Sequence, residues 1–122
     1  MILDSNIIIY STKPEYEFLR EFIAENSPLV SAVSYVEVLG YHNLSNEEKK
    51  LFEEFFDSTE ILPISEKVLA KAVELRQLKK MTLGDALIAA TALVNNLVLI
   101  TNNTKDFDWI EELEITNPLE NI

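Results

Sequence analysis

Gly84-Asp-Ala-Leu-Ile-Ala-Ala-Thr-Ala-Leu-Val-Asn-Asn-Leu-Val-Leu-Ile-Thr101 is the stretch on which the fold turns. From Ala86 to Thr104 the chain carries no charge, a run close to the length a helix needs to cross a bilayer. Asn95 and Asn96 interrupt it. Before them, Ala86–Val94 is rich in helix formers; after them, Leu97–Thr101 is apolar and β-branched. The stretch therefore reads as a helix, a turn and a buried strand rather than a membrane span.

Working outward, short apolar runs alternate with longer amphipathic ones. Strands are expected at Ile2–Leu3, Leu29–Ser31, Ile61–Ile64, Leu97–Ile100 and Leu113–Thr116. Helices are expected near Glu15–Glu25, Ser34–Tyr41, Asn46–Asp57, Glu66–Lys79 and Gly84–Asn95. Five short strands among helices predict a three-layer α/β/α sandwich with a mostly parallel five-stranded sheet. Ser34 with Glu37, Ser45 with Glu48, and Thr82 with Asp85 have capping-box spacing. Three consecutive isoleucines favour a strand at Ile7–Tyr10 by propensity. Asp4, Ser5 and Asn6 before them read instead as a turn and cap leading into a short buried helix.

The chain has 122 residues, 48% of them hydrophobic, enough for one core, and residues 1–122 are expected to form one domain. With no cysteine, disulfides, thiolate metal sites and cysteine nucleophiles are excluded. Asp4 interrupts the N-terminus before a signal-peptide core can form, so a cytoplasmic location is expected. Ten basic against 21 acidic residues give a net charge of -11. That balance argues against gripping nucleic acid mainly by phosphate neutralisation. It does not exclude a nuclease, because carboxylates that hold divalent cations cease to repel the substrate once the metal is bound.

In a parallel α/β sheet, ligands bind at the carboxyl ends of the strands. Asp4, Ser5 and Asn6 follow the first strand, and Thr101, Asn103 and Asp106 follow the fourth. Glu37 and Asp85 lie at apolar helix starts. If the four acids converge, their repulsion raises some pKa values unless a divalent ion is bound. Oxygen-only ligands favour Mg2+ or Mn2+, which retains waters and activates one of them against a phosphodiester. The alternative is that Glu37 and Asp85 are members of capping boxes and that Asp4 and Asp106 are simple helix caps.

His42 is the only histidine, which removes paired-histidine ribonuclease chemistry; its place is at a helix end, with no catalytic role. Arg76, Lys79 and Lys80 form the densest basic cluster. They either hold RNA phosphates or answer the dipole of a helix C-terminus. Leu51, Phe52, Phe55 and Phe56 form a stripe at helical spacing, read as core with part of it available to a partner.

Met1-Ile-Leu-Asp-Ser-Asn-Ile-Ile-Ile-Tyr10, Ser34-Tyr-Val-Glu-Val-Leu-Gly-Tyr41, Gly84-Asp-Ala-Leu-Ile-Ala-Ala-Thr-Ala92 and Leu99-Ile-Thr-Asn-Asn-Thr-Lys-Asp-Phe107 resemble, in order, the motifs of PIN-domain ribonucleases. The resemblance spans almost the whole chain. Carried over by position, it implies that Asp4, Glu37, Asp85 and Asp106 are the catalytic, metal-binding acids, with Asn6, Thr101 and Asn103 supporting them. The chain most resembles the toxin subunits of VapBC-type toxin-antitoxin pairs. This implies an Mg2+- or Mn2+-dependent endoribonuclease, an RNA substrate, a cognate antitoxin, no membrane association and the option of a homodimer. The acidic balance and the presence of only two arginines, Arg20 and Arg76, depart from what an RNA-binding surface needs.

Two other functions are weighed against this one. A receiver-like phosphoacceptor domain has similar size and an acidic pocket, but it resembles an acidic pair after the first strand and a phosphoacceptor aspartate after the third. Here Asp4 stands alone and the third strand runs into Ile64-Ser65. A catalytically silent PIN-like module that only binds a partner would not need the full acidic set.

Overall fold

The computed structural model describes residues 1–120. Five strands, β1 (Ile2–Leu3), β2 (Leu29–Ser31), β3 (Ile61–Leu62), β4 (Leu99–Ile100) and β5 (Ile115–Thr116), form one sheet in the order β3-β2-β1-β4-β5, with every pairing parallel. Between them run α1 (Ser5–Ser11), α2 (Glu17–Asn26), α3 (Ala32–Leu39), α4 (Asn46–Asp57), α5 (Glu66–Leu78) and α6 (Leu83–Val94). Chain order reverses direction across the sheet at β1, which has β2 on one side and β4 on the other. The crevice at the carboxyl ends of β1 and β4 is therefore the topological switch point, where this architecture binds ligands.

Alternation along the strands separates two cores. Ile2 and Leu99 pack with Val68, Leu75, Ile88 and Phe107 on the α5–α6 side. Their neighbours Leu3, Val30 and Ile100 pack with Ile7, Leu19, Val38 and Phe52 on the α1–α4 side. The result is the expected three-layer sandwich, and the sheet is wholly parallel. α6 is buried from Ala86 to Ala92, consistent with the uncharged sequence there. No described helix is long and apolar enough to cross a membrane.

The decisive turn has a definite mechanism. Asn96 adopts φ 54°, a left-handed conformation that asparagine tolerates better than most residues. The N–H of Leu97 then donates to the carbonyl of Ala92 at 2.9 Å, and that of Asn96 to Leu93 at 3.3 Å. This pair of bonds is a Schellman closure, which ends α6 and aims the chain into β4.

Several boundaries differ from the sequence reading. β3 stops at Leu62 because Pro63 has no N–H to pair. β4 and β5 begin two residues later than expected, at Leu99 and Ile115. The first expected helix opens as a 3-10 turn at Pro14–Tyr16 before α2. Ile7–Tyr10 is helical and Ile7 and Ile8 are fully buried, so burial on one helical face outweighs the β-propensity of isoleucine. The proposed Ser34–Glu37 capping box is absent. Ser31, at the junction of β2 and α3, is the cap, accepting from the Val33 N–H at 3.1 Å, and Ser34 is buried one turn inside the helix.

The stripe on α4 divides as anticipated. Phe52 and Phe56 are core, whereas Leu51 and Phe55 face a groove of about 680 Å³ shared with Ser11, Arg20 and Ile23.

Candidate active site

Asp4 leaves β1 at the N-cap position of α1, yet its side chain makes no capping bond. Its Oδ2 instead accepts from the hydroxyl of Thr101 at 2.7 Å, across the switch point and 97 residues away in sequence. Thr101 is fully buried, Asp4 is 4% exposed, and the Asn103 N–H donates back to Thr101 Oγ1 at 3.0 Å. Two adjacent parallel strands thus fix one carboxylate through a threonine that is itself held by the following turn. Asn103 contributes its backbone here rather than its side chain.

Glu37 reaches the same end of the sheet from α3. The Ser5 hydroxyl donates to Glu37 Oε1 at 2.7 Å and lies 2.9 Å from the Ser34 hydroxyl. Ser5 has one hydroxyl hydrogen, so when it serves Glu37 the hydrogen between the two serines comes from Ser34. Ser34 is thereby a relay and not a cap. The Glu37 carboxylate also lies directly against the backbone of Gly84, in the space where a side chain's Cβ would be. α6 therefore starts with a glycine that admits a carboxylate from α3.

Asp85 follows at the third residue of α6. Thr82 caps that helix by accepting from the Asp85 N–H at 3.1 Å, which leaves the carboxylate to face the crevice. Asp106 ends a 3-10 turn, Thr104–Asp106, beyond β4, and is exposed, as is Glu37. Asn6 is half-buried, and among the described residues no hydrogen bond ties its side chain to the acids.

Electrostatics show that the four acids share one field. Burial pushes the Asp4 carboxyl above its ordinary value, opposed by hydrogen bonds from Thr101 and the Ser5 backbone and reinforced by the charges of Glu37 and Asp106. Asp85 is pushed up to about 6, first by burial and then by Asp4 and Asp106, with Glu37 adding and Thr82 opposing. Each of the two inner acids feels the other three or two of them. Caps scattered over separate helix ends would not repel one another in this way.

Arg76, Lys79 and Lys80 lie along one groove of about 580 Å³ together with Asp85, Asp106, Lys105 and Trp109. The basic cluster at the end of α5 is therefore next to two of the four acids. His42 is exposed in the turn after α3, away from these groups.

The PIN-domain family matches residues 1–113. The chain belongs to that family. Ribonuclease VapC1 of Rickettsia felis is 32% identical to it, the match covering 94% of this chain and 93% of the relative. Among solved structures, a toxin-antitoxin complex from Klebsiella pneumoniae superposes with a TM-score of 0.80 at 28% identity, covering 96% of each chain. VapBC2 from Rickettsia felis, bound to a DNA fragment from its promoter, gives a TM-score of 0.78 at 26% identity over 95% of this chain and 96% of the other.

The PIN fold also explains why a receiver-like pocket fails here. β3 is the edge strand, separated from β1 by β2, so a residue following it is remote from the crevice at Asp4.

Among the described residues no three acidic groups are drawn into a ready-made metal cage. The four acids offer only oxygen atoms, and a cation among them would offset the burial and repulsion that hold Asp4 and Asp85 above their ordinary pKa.

Sequence reasoning assigned no role to Gly84, to the Ser5–Ser34 relay or to Trp109. Gly84 carried a signal in hindsight: the chain has only two glycines, and one stands inside a helix start next to a candidate acid.

Proposed function

We propose that this PIN domain is an Mg2+- or Mn2+-dependent endoribonuclease and the toxin of a type II toxin-antitoxin pair. What supports the reading is that Asp4 and Asp85, at the switch-point crevice, each feel the charges of Glu37 and Asp106, with Asp85 raised to about 6 by burial and by its acidic neighbours. A divalent cation held there would supply a water of lowered pKa and neutralise charge developing on the phosphodiester. Asp4 and Asp85, the more buried of the four, would be the inner ligands. Thr101 holds the Asp4 carboxylate at one orientation, and Ser5 does the same for Glu37. Glu37 and Asp106, being exposed, would be the outer acids around a cation held there. Asn103 acts through Thr101. The relatives' names support ribonuclease chemistry and an antitoxin partner. The groove beside Leu51 and Phe55 suits an apolar helix of that antitoxin.

Pure protein incubated with total cellular RNA and Mg2+ is expected to give discrete cleavage products that vanish with excess chelator and return with Mn2+. Calcium is expected to bind and support little turnover, since its looser coordination places the attacking water less well. Robust cleavage in chelator would overturn the mechanism. Toxicity on expression, relieved by co-expressing a small neighbouring reading frame, tests the toxin assignment separately.

A further inference from the structure

The groove that runs past Asp85 and Asp106 contains features that metal chemistry does not require. Four of the ten cations of this chain, Arg76, Lys79, Lys80 and Lys105, line it. On a protein with 21 acids, this groove sets four positive side chains against only two negative ones, Asp85 and Asp106. Among the described residues none of the four is in a salt bridge with an acid.

Trp109, the only tryptophan, forms part of the same wall. Its indole N–H donates to the carbonyl of Asp106 at 3.0 Å, which ties the ring to the backbone of a candidate metal ligand. The ring also packs against the α5–α6 core, and its groove side is covered by Lys79, whose Nζ is 5.6 Å from the ring centroid. An aromatic ring anchored by its N–H, with a lysine ammonium over its face, is an arrangement that can accept a nucleobase. The base replaces the ammonium over the ring, and the ammonium moves to the adjoining phosphate.

We propose that this groove binds a single-stranded segment of RNA, with one base stacked on Trp109 and its phosphates held by Arg76, Lys79, Lys80 and Lys105. The inference rests on the nuclease reading and adds to it a base-positioning residue, Trp109. Bases in an A-form duplex are stacked on each other and cannot reach an aromatic platform, whereas loop and unpaired bases can. Trp109 is bonded to the turn that bears Asp106, so a stacked base would set the register of the neighbouring phosphate against the acids.

Because Trp109 is the sole tryptophan, its fluorescence reports on the groove without turnover. The test is a titration of metal-free protein with a short single-stranded RNA and, in parallel, with a blunt duplex of equal charge and with a polyglutamate peptide. Anisotropy of a labelled RNA measures total binding in the same samples. Saturable quenching by the single strand, with little quenching by the duplex, is expected. Trp109→Leu is expected to weaken RNA binding on the order of tenfold, with Trp109→Phe recovering much of it as a control for folding. Lys79→Ala and Lys105→Ala are expected each to weaken binding and to reduce its salt dependence. RNA that binds by anisotropy without changing Trp109 emission, or equal binding by Trp109→Leu and wild type, would overturn the proposal. If magnesium-dependent cleavage persisted in that case, the nuclease reading would stand. Quenching by polyglutamate and not by RNA would assign the groove to an acidic protein segment and likewise overturn it. Absence of both RNA binding and RNA cleavage would remove the nuclease reading as well.

Discussion

The N-termini of α4 and α6 begin with the same sequence device and end in opposite electrostatic states. At α4, Ser45 accepts from the Glu48 N–H and Glu48 reaches back to the Ser45 N–H, both at 3.1 Å, closing a complete capping box. The Ser45 backbone and side chain hold the Glu48 carboxyl below its ordinary pKa. At α6, Thr82 likewise accepts from the N–H three residues on, but the carboxyl of Asp85 sits in the acidic crevice and is pushed up to about 6. One carboxylate gains from its surroundings and the other is penalised by them. A carboxylate held where its charge is disfavoured is of the kind that clusters at functional sites.

The largest effect that could break this contrast is on cleavage. Asp85→Asn and Asp4→Asn should each lower the RNA cleavage rate by on the order of 100-fold or more, since each removes an inner anionic ligand. Glu48→Gln should leave cleavage unchanged. A rate assay on the three variants at saturating Mg2+ reads this directly, and equal activity in all three would erase the distinction between the two helix starts.

A smaller effect is expected at Gly84. In Gly84→Ala the new methyl group occupies the space of the Glu37 carboxylate, which must swing away and loses its bond from Ser5. Misplacing an outer ligand in this way should cost roughly 10- to 100-fold in activity or metal affinity. Alanine is otherwise a better helix former than glycine, so thermal stability should not fall in proportion. A variant with normal activity would show that Glu37 needs no fixed position.

The sequence conveyed the layers well and the caps only partly. Apolar runs as short as Ile2–Leu3 were readable as strands because polar residues and helices bracket them, and the switch point follows from their order only once the pairing is known. Asp4 and Asp85 were legible as site candidates by position after a strand and at a helix start. What could not be read was which serine caps α3. Ser31 and Ser34 are both acceptable by local chemistry, and Ser34 loses because tertiary packing buries it against Ser5. Contacts such as Glu37 on Gly84 and Thr101 on Asp4 join distant segments and leave no local periodicity to detect. Trp109 escaped notice for the same reason, since its significance comes from Lys79, 30 residues earlier in the chain, and not from its neighbours in sequence.

The smallest effect completes the comparison from the other side. Ser45→Ala removes the acceptor of the α4 box and should cost about 1 kcal/mol of stability. That loss should be the same with and without Mg2+, and cleavage by the folded fraction should not change. Denaturant melts in the two conditions measure it; a magnesium-dependent loss would mean that the two helix starts are not independent.

The central claim is that Asp4, Glu37, Asp85 and Asp106 are one repelling, metal-seeking cluster and not four separate caps. It is tested most directly by thermal melts of metal-free protein and of the Asp4→Asn and Asp85→Asn variants between pH 4 and pH 8, repeated with Mg2+. A carboxyl raised in the folded state binds more protons there than when unfolded, so this cluster makes wild type lose stability as pH rises from the ordinary aspartate value toward about 6. The account predicts that above that range both variants melt higher than wild type without metal, that the decline with pH flattens in Asp85→Asn, and that the stabilisation by Mg2+ is lost in both. Variants that melt lower than wild type without metal at pH 8 and keep its full response to Mg2+ would contradict it.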